Sequence, residues 1–411
     1  MVLNIVTGIL VARSLGPEGK GDIALFLVNL AILSQVYNFG IPEFSILSYG
    51  KKSYITEVII WGGLVYSLFI FLIVSTVTIG VSMLFEYQLF KFAFLLIGGA
   101  FIETIATHFR HVLLGFKEIK KYNVNVLIQT LTYFGALILL FLFNMFALKY
   151  ILFSLILSRL TSIMASVKFV NKYKFRRVIE QRAALWGYIK EINKNGYKFF
   201  FMGLGATLNQ RMVYFFLNNA YSSTQVGIYS VSETFPGLIN VAASQISFVL
   251  YPYIANEKRE GKRLTLIAMS LSLVIGFIAL LFFWSFGTVI IDYVYGEAFA
   301  EAYFSMLVLI VALTVYSINN SLTNYLITIG EVNTTMTAVI CSLLIVIVLL
   351  YCVIDIGFIF ASLSVLIVNV LMFSYYFTLF GKKSNLGFRD INELKSTLLH
   401  AFKKINNSRN E

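Results

Sequence analysis

The stretch LTLIAMSLSLVIGFIALLFFWSF, Leu264–Phe286, carries no charged residue over 23 positions, and its reading decides the fold. As an α-helix it rises roughly 34 Å, enough to cross about 30 Å of hydrocarbon. A membrane β-strand would show strict alternation over about 10 residues instead. Val58–Phe85 is just as long and uncharged. Across 411 residues the chain is 59% hydrophobic and 13% charged, with mean hydropathy +0.82. Soluble domains are about one-quarter charged, so a soluble fold is excluded and an all-α integral membrane protein follows.

Apolar runs between charge and turn clusters predict about twelve spans, near residues 1–14, 21–47, 56–84, 90–114, 122–143, 147–170, 197–219, 226–254, 264–286, 301–329, 334–354 and 356–380. Loops after even-numbered spans hold Lys51, Lys52, Lys117, Lys120, Lys121, the dense run Lys172–Lys198, and Lys258, Arg259, Lys262 and Arg263. The opposite loops hold only Arg13, Lys20, Lys91 and Lys149, while the acids Asp292, Glu297 and Glu301 lie on that far side. By the positive-inside rule both termini are cytoplasmic. This asymmetry accounts for most of the +12 net charge, so no nucleic-acid partner is implied.

Four parts are predicted: a six-helix lobe over 1–170, a basic amphipathic connector over 171–196, a second six-helix lobe over 197–380 and a basic cytoplasmic tail over 381–411. In the connector, Val178, Ile179, Leu185, Trp186, Ile189 and Ile192 share one helical face, with Arg177, Arg182, Lys190 and Lys194 largely elsewhere. That pattern suits a helix lying on an anionic leaflet, or simply an orienting surface helix. The tail repeats it with Ile391, Leu394, Leu398, Leu399, Phe402 and Ile405. Cys341 and Cys352 sit eleven positions apart in one apolar run, too far along a helix for a disulfide, and are expected to be packing residues. No charged n-region with a small-residue cleavage site opens the chain, so a removable signal peptide is not expected. The run Met1–Ala12 would rise only about 18 Å, so either its start is placed too late or neighbouring helices support it.

An internal repeat is visible. LVARSLGPEGKGDIAL, Leu10–Leu25, matches FLNNAYSSTQVGIYSV, Phe216–Val231, with Gly21 opposite Gly227; LLGFKEIKKYN, Leu113–Asn123, matches TIGEVNTTMTA, Thr328–Ala338, with Gly115 opposite Gly330. Six spans per repeat make the halves parallel about an axis along the membrane normal, with room for a cavity at that axis.

The segments ARSLGPEGKG (Ala12–Gly21), VGIYSVSE (Val226–Glu233) and LYPYIANEKREGKR (Leu250–Arg263) resemble the polysaccharide transporter branch of the multidrug/oligosaccharidyl-lipid/polysaccharide superfamily, which includes Wzx-type O-antigen flippases. That resemblance covers essentially the whole chain. It implies twelve helices in two lobes, a cationic central cavity, and movement of an undecaprenyl-diphosphate-linked oligosaccharide from the cytoplasmic to the periplasmic leaflet of a bacterial inner membrane. Membrane lipids and other polysaccharide assembly proteins are the further partners it implies.

Charges inside spans cost about 2.5–3.5 kcal/mol on insertion scales, so they face protein or a wet cavity. The candidates are Arg159 in the sixth span beside Ser154, Ser158 and Ser162, Arg211 in the seventh after Asn209 and Gln210, and Arg110 in the fourth. Glu103, Thr107 and Arg110 stand at i, i+4 and i+7 on one face. Glu233 lies in the eighth span, and Asn319, Asn320, Thr323 and Asn324 form a polar patch on the tenth. Guanidinium groups make charge-assisted, often bidentate bonds to phosphate, so the three arginines are candidate substrate contacts and the amides candidate cavity lining. Glu103 and Glu233 are candidate ion-coupling groups or partners of those arginines, which would then only hold helices together. His108 and His111 read as packing or interfacial residues.

No P-loop, HExxH, GxSxG or Cys/His ligand cluster is present, so no cofactor, metal site or ATP hydrolysis is expected. An O-antigen polymerase or ligase would need groups on a large outer loop, and the outer loops here are short. A cation-coupled multidrug exporter of the same superfamily would favour carboxylates in its lumen over arginines.

Overall fold

The computed structural model describes residues 2–50, 54–85, 93–116, 118–171, 173, 176–256 and 258–384. The amphipathic pattern read in the tail falls at 391–405, outside the described residues. The described residues contain helices and no strand. In chain order the α-helices are α1 (Val2–Asn38), α2 (Ile41–Gly50), α3 (Gly63–Phe85), α4 (Ala93–Gly115), α5 (Ile119–Leu142), α6 (Leu148–Val170), α7 (Arg176–Glu180) and α8 (Arg182–Glu191). They continue as α9 (Tyr197–Ala220), α10 (Ser223–Asn256), α11 (Lys258–Val294), α12 (Ala302–Thr328), α13 (Val332–Val353) and α14 (Phe358–Ser384). A π-turn over Val58–Gly62 leads into α3, and another over Ile192–Gly196 leads into α9.

Among the described residues, eight helices are long and apolar enough to cross a membrane. One of them, α1, is two helices joined at Gly16, whose φ of 68° is left-handed, followed by Pro17, which has no amide hydrogen to continue the ladder. With α1 counted as two, α4, α9 and α10 bring the membrane helices among the described residues to twelve, and the lower apolarity of these three comes from Glu103 and Arg110, from Asn209, Gln210 and Arg211, and from Glu233. The chain is thus a multi-pass α-helical membrane protein with six helices per repeat. Side chains such as Phe69, Leu72, Phe277, Trp284 and Val348 point outward, an apolar surface suited to lipid. The span predicted over 21–47 is broken, because Phe39 and Gly40 both take positive φ and separate α1 from α2.

Packing divides the chain into two compact units, Met1–Ile228 and Tyr229–Glu411. The division falls inside α10, whereas the sequence pattern places it at the connector. α9 belongs with the first unit because it packs on α1, and just beyond the end of α1 the ring of Phe39 stacks on that of Phe200 at 4.9 Å. In that unit Phe26, Leu30 and Tyr37 of α1 meet Ala100 of α4 and Leu152 and Leu155 of α6. In the second unit α12 is central. Its spanning window is 67% buried against 28% for α13 and α14, and Tyr325 meets Phe380 of α14 edge-on at 4.8 Å.

The connector corrects one expectation. Its apolar face lies on protein, not lipid: Val178, Tyr188 and Ile192 are buried against Ile41, Phe44, Val58, Ile59 and Tyr66. Of the apolar residues assigned to that face, Trp186 points outward, 70% exposed. Cys341 and Cys352 are free and on the exposed surface of α13, so they are not core packing residues.

Candidate functional site

The first unit holds a charged cluster built on α4. One helical face carries Glu103, Thr107 and Arg110, as their spacing requires. Arg110 Nη2 donates to Glu103 Oε1 at 2.8 Å, and Arg159 Nε, from α6, donates to Glu103 Oε2 at 2.7 Å. One carboxylate therefore holds two guanidiniums, one on each oxygen. Thr107 Oγ1 accepts from Arg110 Nη2 at 2.9 Å and donates to Glu103 Oε1 at 3.3 Å. Arg110 Nη1 donates to Gln129 Oε1 of α5 at 2.6 Å, and Arg159 Nη1 donates to Ser158 Oγ at 3.2 Å. The three charged side chains are only 15–18% exposed, so removing the shared carboxylate would strand two charges in a poorly solvated place.

α5 and α6 are locked in register one turn away. Asn125 donates to the Ser162 carbonyl at 2.6 Å and to Ser166 Oγ at 2.7 Å, and Ser162 Oγ donates back to Asn125 Oδ1 at 2.6 Å. Buried amide and hydroxyl groups satisfied in this way fix the rotation of both helices, and so aim Gln129 and Arg159. Asn125 is a residue the sequence reading passed over. The available signal is that Asn125 and Gln129 stand four residues apart, on one face of α5.

A cavity of about 310 Å³ opens beside the cluster, lined by α1, α4, α5 and α6. Its polar lining is Asn4, Thr7, Lys20, Arg110, Gln129, Thr130, Tyr133 and Arg159. Lys20 is the surprise. Sequence placed it in an outer loop, but α1 resumes at Pro17 and the lysine lies within the helix, on the cavity wall. Among the described residues it has no carboxylate partner. Three cations against one carboxylate leave an excess of two positive charges on this wall.

The remaining candidates lie elsewhere. Arg211, on α9, places its guanidinium 5.7 Å from the centre of the Tyr214 ring, a cation–π contact, and is not among the residues lining the cavity. Asn209 and Gln210 precede it, half-buried. In the second unit Glu233 and Asn324 are half-buried. Asn319 Nδ2 donates to the Asn369 carbonyl at 3.0 Å, and Asn320 Nδ2 donates to Ser244 Oγ at 3.4 Å. Asn240 Oδ1 accepts from Ser317 Oγ at 2.8 Å and Ser244 Oγ at 3.1 Å, so α10 and α12 are joined by neutral polar groups. His108 is a packing residue, fully buried with Nε2 2.8 Å from the Ile60 carbonyl, and His111 Nδ1 lies 2.9 Å from the Thr107 carbonyl. No group of three or more metal-binding side chains occurs among the described residues.

In fold, this chain is similar to solved transporters of the multidrug/oligosaccharidyl-lipid/polysaccharide (MOP) superfamily. An inward-facing multidrug-resistance MATE transporter of that superfamily superposes with TM-score 0.71 at 14% identity, over 96% of this chain and 95% of that one. An outward-facing multidrug-resistance MATE transporter of that superfamily gives 0.68 at 17%, over 96% and 92%. A MOP transporter from Pyrococcus furiosus, described as having a binding pocket of reverse polarity that suggests a different function, gives 0.66 at 17%, over 93% and 92%. Residues 10–304 match the family described as polysaccharide biosynthesis protein, and the chain belongs to that family. Comparison with curated protein sequences gives no match.

Proposed function

We propose that this protein is a flippase. It moves an undecaprenyl-diphosphate-linked oligosaccharide, an O-antigen or capsule repeat unit, from the cytoplasmic to the periplasmic leaflet of a bacterial inner membrane by alternating access. The observation that carries this reading is the wall formed by Lys20, Arg110 and Arg159, with two positive charges beyond what Glu103 neutralises. A diphosphate or an acidic sugar needs such donors in a low-dielectric setting, where charge-assisted bonds are strongest. Membership of a polysaccharide biosynthesis family supports a glycan cargo. The shared fold with transporters known facing inward and outward supports alternating access. The fold is equally that of multidrug exporters, and export of small drugs is the second reading. Unneutralised cations repel cationic drugs, which places the flippase first.

The test is translocation of a fluorescent undecaprenyl-diphosphate oligosaccharide in proteoliposomes. The intact protein is expected to move it, Lys20→Ala to slow movement about tenfold or more, and Lys20→Arg to keep most of it, because a cation remains on the wall. Unchanged translocation by Lys20→Ala would remove the proposed role of this wall. Failure of the intact protein to move the lipid, with efflux of a cationic dye, would replace the flippase with the exporter.

A further inference from the structure

Between the end of α6 at Val170 and the start of α9 at Tyr197, the described residues form the short helices α7 and α8 and a π-turn, none of them long enough to cross a membrane. α8 is fixed there in one rotational setting. Tyr188 is fully buried with its hydroxyl 3.0 Å from Ser45 Oγ, Tyr54 donates to Glu191 Oε2 at 2.7 Å, and Tyr66 donates to Asn193 Oδ1 at 2.5 Å. With the apolar face held on protein, the opposite face is turned outward. It carries Arg182, Trp186 and Lys190 at intervals of four, and Lys194 follows in the π-turn, all of them exposed.

Arg182, Lys190 and Lys194 have no ion-pair partner among the described residues. The two acids of this segment are already engaged, Glu191 with Tyr54 and Glu180 with Arg176 at 3.2 Å. A tryptophan 70% exposed among three unneutralised cations is poorly suited to bulk water. It suits the headgroup layer, where the indole takes an amphipathic position and cations meet lipid phosphates.

We propose that Arg182, Trp186, Lys190 and Lys194 form a binding site for anionic phospholipid headgroups. The site is separate from the cation-lined cavity and independent of what that cavity carries. It reverses the orientation expected from the apolar pattern: the basic stripe meets the lipid phosphates, and the aliphatic stripe meets the protein.

The test uses the full chain in nanodiscs with Trp284→Phe, which removes a lipid-facing tryptophan. The signal of Trp186 is taken as the difference from the same protein carrying Trp186→Phe. Brominated phosphatidylglycerol and brominated phosphatidylcholine, at equal mole fraction in mixed discs, are the quenchers. Quenching by the anionic lipid is expected to exceed that by the zwitterionic lipid about twofold or more. The triple substitution R182Q/K190Q/K194Q should abolish the difference while leaving protein abundance unchanged, since none of these side chains is buried. Equal quenching by both lipids, or a preference that survives the triple substitution, would overturn the proposal. So would a Trp186 unquenched in every mixture with water-like emission, the result expected if the stripe instead awaits an acidic soluble protein.

Discussion

Gly21 and Gly227 pack against each other through their backbones, each lying where a Cβ on the other would sit 3.0 Å from its amide nitrogen. A Cβ on Gly21 would collide with the Ser223 carbonyl, four residues before Gly227, and a Cβ on Gly227 with the Pro17 carbonyl, four residues before Gly21. The contact is reciprocal. The same two glycines are the ones the internal repeat aligns.

Gly21→Ala or Gly227→Ala is expected to destabilise the protein by about 1–3 kcal/mol, because the obstructing atoms are backbone and cannot turn aside. Gly135→Ala, where a Cβ meets nothing within 4 Å, is the control and should be neutral or stabilising. Melting temperatures of the three purified variants in detergent check this. Equal melting of all three would remove the close-contact account.

Because Glu103 holds two arginines, the variants should separate by count. Arg159→Ala leaves Glu103 paired with Arg110, so membrane abundance should stay near normal while glycan export falls. Glu103→Gln and the double variant R110A/R159A each leave buried charge without its partner, at a cost of about 3–5 kcal/mol, and should lose abundance. Quantitative blots beside surface-glycan measurement distinguish these. An abundant Glu103→Gln protein would show that the cluster is not a structural unit.

Tyr54 gives a pH signature for the connector. Burial, then its hydrogen bond to Glu191 and that carboxylate's charge, push its hydroxyl from 10.0 up to about 12. The raised value means that the folded state favours the protonated phenol. Its contribution to stability is therefore complete below pH 10 and lost as pH rises from 10 through about 12. Thermal melts across that range should fall more steeply for the intact protein than for Tyr54→Phe, and parallel curves would deny the linkage.

Reporter fusions after Lys121, Asn195 and Gly261 should read cytoplasmic, and fusions after Ser223 and Gly296 periplasmic, because lysine and arginine concentrate beside the first three. A cytoplasmic signal at Ser223 would break the two-repeat topology.

The class, the helices and the repeat are legible in the order of residues alone. Uncharged runs such as Leu264–Phe286 admit nothing but a spanning helix, since an unsatisfied backbone is too costly in lipid. The pair Gly16 and Pro17 marks the first turn for local steric reasons. Glu103, Arg110 and Arg159 were legible as costly charges. Their shared contact was not legible, nor was the position of Lys20, nor which face of α8 meets protein. Those depend on how each helix is rotated against its neighbours. In a soluble protein the apolar stripe reports that rotation, but in lipid both the packed face and the lipid face are apolar. Only the tertiary structure, through small contacts such as Asn125 with Ser162 and Gly21 with Gly227, fixed the rotations that bring Lys20, Arg110 and Arg159 to one wall.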